Sequence, residues 1–106
     1  MYQPDAIIEV RFRTARAGGK QKPIRGDFYS CPLVVGPMMF DCRLILSGKL
    51  IDFGETYKIP IKLLNPQAAL PYLLKGKPIK LWEGKDIADG KIIELSHSEF
   101  SGNSRN

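Results

Sequence analysis

The chain has one histidine, two cysteines and one tryptophan among its 106 residues. Each scarcity excludes something. His97 stands alone in a polar stretch, with no Cys, Ser or carboxylate constellation around it, so it is not a catalytic candidate. No second Cys or His sits at metal-ligand spacing, which argues against structural zinc. Apolar runs fall far short of the roughly 20 residues that span a membrane, and the start Met1-Tyr2-Gln3-Pro4-Asp5 has no basic n-region or apolar h-region. A cytoplasmic protein with reduced thiols and no membrane partner is expected. No segment keeps a helical period over several turns, and no internal repeat is present.

What is present is period-two alternation cut by Gly, Pro and Asn. Charged residues make up 25% and apolar residues 43%, which is ordinary globular usage and enough for one modest core. Lys and Arg number 16 against 11 Asp and Glu, for a net charge of +5. By itself that excess reads as solubility rather than as a polyanion site. Ile8, Val10 and Phe12 alternate with Glu9, Arg11 and Arg13 in a strand over 6–14. Residues 15–26 have no hydrophobic period and read as an exposed loop carrying Arg16, Lys20, Lys22 and Arg25. A second strand covers 27–35, with Pro32 marking an edge or bulge. Gly36-Pro37 turns the chain into a strand over 38–46, in which Phe40, Cys42, Leu44 and Leu46 face one way. Residues 47–53 read as a connector.

Tyr57, Ile59, Ile61 and Leu63 form the apolar face of a strand over 56–64, with Pro60 on the outer face. Asn65-Pro66 stops it. Residues 67–74 fit a short helical turn, a short strand, or both. Lys75-Gly76-Lys77-Pro78 is a turn. Ile79 to Leu95 is the closing hairpin, with Ile79 and Leu81 on one face and Trp82 on the other. Its tip is Glu83-Gly84-Lys85-Asp86, and Asp89-Gly90 suggests a bulge or a re-aimed strand. Ile93 and Leu95 are its second apolar pair. Residues 1–95 form one domain and 96–106 a flexible tail. Six or so such strands make an all-β barrel or sandwich. Cys31 and Cys42 lie on different strands. Geometry alone decides whether they can pair, and two core thiols are preferred to a redox couple.

Four pieces in this order resemble the third domain of bacterial elongation factor Tu, over roughly 6–95. Gly18-Gly19-Lys20-Gln21-Lys22-Pro23-Ile24 stands beside the family's Gly-Gly-Arg-His-Thr-Pro-Phe. Phe53-Gly54-Glu55 stands beside Pro-Gly-Asp. Leu63-Leu64-Asn65-Pro66-Gln67-Ala68 matches Leu-Ile-His-Pro-Ile-Ala. Glu83-Gly84-Lys85-Asp86-Ile87-Ala88-Asp89-Gly90 matches Gly-Gly-Arg-Thr-Val-Gly-Ala-Gly. The resemblance implies a small six-stranded antiparallel β-barrel standing alone. It also implies a surface that, in the family, holds the backbone of aminoacyl-tRNA. The chain has no Gly-x-x-x-x-Gly-Lys-Ser/Thr stretch, so neither nucleotide nor GTP hydrolysis is expected. Lys20 and Lys85 replace family arginines and lose the planar fork that grips phosphate. Gln21 replaces histidine.

The expected function is a non-enzymatic binding module without cofactor or metal. Its candidate binding residues are Gly18, Gly19, Lys20, Gln21, Lys22, Arg25, Trp82 and Lys85. Trp82 is read either as an exposed anchor or stacking platform, or as packed beneath residues 67–74. Asp86 and Asp89 are explained by turn chemistry, and a carboxylate pair there would repel phosphate. That favours a protein partner. The alternatives are tRNA or other RNA, and an immunity or inhibitor protein acting on a toxin.

Overall fold

A computed structural model describes residues 3–14, 16 and 24–96. The strands are β1 (Ala6–Phe12), β2 (Ile24–Arg25), β3 (Phe28–Val35), β4 (Met38–Ile45), β5 (Leu50–Ile51), β6 (Thr56–Leu63), β7 (Pro78–Trp82) and β8 (Asp86–Leu95). Six of them close into an antiparallel barrel in the order β1-β6-β4-β3-β7-β8. The choice between barrel and sandwich is settled at β1, which pairs with β6 on one side and β8 on the other. Closure removes the free sheet edges that would otherwise template aggregation.

The alternating positions face inward as their spacing predicts. Ile8, Val10, Phe12, Leu33, Cys42, Leu44, Ile59, Ile61, Leu63, Ile79 and Leu81 are all buried in one core. The two mid-strand prolines, Pro32 and Pro60, sit where a missing N–H interrupts little. The β3–β7 ladder holds only Leu33↔Leu81 and Val34↔Lys80, so it has already ended at Pro32. The β4–β6 ladder stops at Leu44↔Ile61, one residue before Pro60. Each proline therefore occupies a local edge inside a closed barrel.

Three expectations are corrected. The first concerns the loop over 15–26 and the connector over 47–53. Ile24 and Ile51 pair across β2 and β5 and are both buried in the core. An isoleucine moved out of water contributes roughly 1.5–3 kcal/mol, enough to order a two-residue ribbon that alternation cannot reveal.

The second concerns Asp89-Gly90, which is no bulge. β8 runs through it, with Gly90 opposite both Val10 and Ile79. The irregularities lie elsewhere. Pairing with β7 jumps from Leu81↔Ala88 to Trp82↔Asp86, leaving Ile87 as the extra residue. Ile87 and Ala88 are consequently both buried.

The third concerns the end of β8. Pairing with β1 jumps from Ile7↔Glu94 to Ile8↔Ile92, which makes Ile93 the extra residue. The bulge shifts the inward phase, so Ile92 is fully buried and Ile93 is half-buried.

Within residues 67–74 the chain is helical through Tyr72, and Leu73 returns to extended backbone. Asn65 caps a turn over Pro66–Ala69, its Oδ1 accepting from the Ala68 N–H at 3.4 Å, and a 3-10 turn follows over Leu70–Tyr72. Proline at the first helical position suits its fixed φ. Ala69 and Leu73 bury against the core, while the Tyr72 ring lies 5.5 Å from Phe40.

Candidate binding surface

Strand direction gives the barrel two ends. At one end lie the β7–β8 tip, the β4-to-β6 connection carrying β5, and the β1-to-β3 connection carrying β2. Arg25, Trp82 and Lys85 all belong to this end, and Arg25 and Lys85 are exposed. Gly18, Gly19, Lys20, Gln21 and Lys22 lie outside the described residues, as do His97 and the tail from 97 to 106.

The tip is built from local chemistry. Gly84 takes φ +75°, and the Glu83 N–H donates to the Lys85 carbonyl at 2.8 Å. The Tyr29 hydroxyl, from β3, donates to Glu83 Oε1 at 2.6 Å. That bond fastens the tip to the strand that follows Arg25. Burial, then the bond to Glu83, pushes the Tyr29 pKa up, so the phenol stays a donor throughout the physiological range.

Trp82 ends β7 on the outer face and is 37% exposed, so its ring is available rather than sunk beneath residues 67–74. Phe28 and Leu50 are exposed apolar residues at the same end. The Arg43 guanidinium stands over the Phe28 ring, 5.5 Å from its centroid, in cation–π geometry.

An ion-pair network on the outer face joins three strands or strand ends. Arg13 Nε and Nη2 reach Asp89 Oδ2 and Oδ1 at 2.8 and 2.9 Å, a two-pronged grip. Lys80 Nζ binds Oδ1 at 2.9 Å. The Arg13 bonds, and then Lys80, hold the Asp89 carboxyl down at about 2 against the opposing effect of burial. Asp89 in turn raises the pKa of Arg13. Beside the network is an open cavity of about 510 Å³ lined by Arg11, Arg13, Thr14, Gly54 and Asp89. Arg11 is aimed there by its Nε bond to the Gly54 carbonyl at 2.7 Å.

This geometry corrects the expected acidic pair. Asp89 is neutralised by two cations, and Asp86 is half-buried opposite Trp82. The two carboxylates therefore do not form one repulsive patch. Sequence reasoning missed Arg13 and Lys80 as partners of Asp89. Their outward phase was readable from alternation, but the strand register that brings them together was not.

Among the described residues, no group of three or more His, Cys, Asp or Glu side chains is placed to hold a metal ion. No described helix is long and apolar enough to cross a membrane. Neither a scan against protein-family models nor a search of curated proteins returns a match.

Proposed function

We propose that the protein is a non-enzymatic binding module that docks a protein partner through the barrel end carrying Trp82. The observation that carries this reading is the 37%-exposed indole at the end of a strand whose hairpin tip is fastened by Tyr29. A large aromatic on a pre-organised scaffold is the typical centre of a protein interface, because it buries much area and loses little side-chain entropy. Phe28 and Leu50 are further exposed apolar residues at this end, and Arg25, Lys49 and Lys85 are exposed cations there. The order of motifs shared with the third domain of elongation factor Tu, together with the six-stranded barrel, supports a module of that kind. An immunity or inhibitor protein is the same reading with a toxin as the partner.

The test is quantitative capture from the native host, comparing wild type with Trp82→Ala and Leu50→Asp, each first shown to be folded by circular dichroism. A specific partner should be lost from both variants. With a purified partner, Trp82→Ala should weaken binding by roughly 30-fold or more, the effect of losing a central anchor. Equal capture by all three proteins would refute the reading.

RNA binding is the second reading, favoured by the cations Arg11, Arg16, Arg25 and Lys85 on the connections and strand ends of this same end. It requires affinity for tRNA that falls steeply with salt, with a slope tracking the number of phosphates contacted. Lys20→Glu with Lys22→Glu should abolish that affinity. Salt-insensitive binding, or none at low salt, would eliminate it.

A further inference from the structure

Cys31 and Cys42 are the chain's only cysteines, both are free, and both are buried. They are direct partners in the β3–β4 ladder, flanked by Ser30↔Arg43 and Pro32↔Asp41. Directly opposed residues of antiparallel strands have Cα atoms about 4.5–5.5 Å apart. A disulfide spans about 4.4–6.8 Å. The two side chains share the inward face, since both fall on buried positions of alternating strands. The ladder therefore provides the spacing and facing that a disulfide needs.

Access comes from outside the core. A cavity of about 230 Å³ is lined by Cys31, Cys42, Pro32 and Leu64. A hydroperoxide, little larger than a water molecule of roughly 30 Å³, fits such a space. β3 is bonded to β7 only through Leu33 and Val34, so the wall beside Cys31 lacks ladder bonds on that side.

We propose that Cys31 and Cys42 form a redox-active dithiol that small hydroperoxides convert to a cross-strand disulfide. One thiolate attacks the terminal peroxide oxygen, the O–O bond breaks, and a sulfenic acid and water (or the alcohol) result. The second thiol then attacks the sulfenic sulfur, forming the S–S bond and expelling water. For hydrogen peroxide, two thiols and one peroxide become one disulfide and two waters, so sulfur is oxidised and oxygen reduced.

Both sulfurs line the same cavity, so either thiol can attack first and the other resolves.

The experiment treats the folded full chain with hydrogen peroxide and counts thiols alongside intact mass. The expected result is loss of both thiols, a mass lower by two hydrogens, a monomer on a non-reducing gel, and full reversal by a dithiol reductant. In Cys42→Ser and in Cys31→Ser, the remaining thiol should gain one oxygen that a sulfenic-acid-trapping dione captures. Thiols that persist in the folded wild type, oxidation that needs urea, or disulfides only between copies would overturn the proposal. The wild-type mass measurement decides the matter even if a serine variant does not fold.

Discussion

Gly90→Ala is the sharpest perturbation of this barrel. Gly90 sits in the middle of β8, opposite Val10, and its φ is not in the left-handed region, so backbone conformation is no obstacle to alanine. Space is the obstacle. A Cβ at Gly90 would lie on the carbonyl oxygen of Glu9, deep inside van der Waals contact, and 2.7 Å from Val10 Cγ1. The Glu9 oxygen is backbone, so no rotamer change relieves the clash. Strands β1 and β8 must separate locally, in the pair that closes the barrel. Overpacking typically costs about 1–3 kcal/mol. A ladder hydrogen bond weakened by the separation adds roughly 1 kcal/mol. The sum is about 3 kcal/mol, a large part of the roughly 5–15 kcal/mol that stabilises a domain.

Urea unfolding followed by the fluorescence of Trp82, the only tryptophan, measures this directly. With a slope of about 1.5 kcal/mol per molar, the midpoint should fall by roughly 2 M. Gly36→Ala is the control. Gly36 has φ +56° but nothing within 4 Å of an added Cβ, so only the conformational penalty of about 1 kcal/mol applies. A Gly90→Ala midpoint within error of wild type, or one no lower than that of Gly36→Ala, would refute the close-approach reasoning.

The bulge at Ile93 predicts a contrast between neighbours. Ile92→Ala should destabilise by about 2–5 kcal/mol and Ile93→Ala by markedly less, measured by the same titration; the reverse order would place the register differently. Asp5 is buried, and its Oδ2 accepts the Leu63 N–H at 2.7 Å. Asp5→Ala strands that donor and should lose about 1–3 kcal/mol, whereas Asp5→Asn keeps an acceptor and should lose less. Asp89 contributes a pH dependence. Its folded pKa is depressed to about 2 by Arg13 and Lys80, so its stabilisation is present above the ordinary carboxylate pKa and disappears as pH falls from about 4 toward 2. Because the pair is partly exposed, the effect is small and screened by salt. Thermal midpoints of wild type and Asp89→Asn should differ at pH 7 and converge near pH 2.

Much of the barrel is written in alternation, which is a local property of each strand. Ile8, Val10 and Phe12, Cys42, Leu44 and Leu46, and Ile59, Ile61 and Leu63 declare their inward face without reference to any neighbour. Gly84 and Asn65 declare the tip and the helix start for equally local reasons. The candidate surface was legible in part. Arg25, Trp82 and Lys85 belong to one end because chain order and strand direction put them there, while Gly18 to Lys22 lie outside the described residues.

Only the tertiary structure decided the rest, because pairing partner and register depend on residues far along the chain. β1 closes on β8 across some eighty positions, and no window of either strand specifies that pairing. The extra residues Ile87 and Ile93 reverse the inward phase only because a partner strand is there to be mismatched. Ile24 is buried because Ile51 meets it, and Asp89 is neutralised because β1 and β7 flank β8. Cys31 and Cys42 are separated by ten residues of hairpin, so their facing depends on the two-residue Gly36-Pro37 turn that sets the register of β3 against β4.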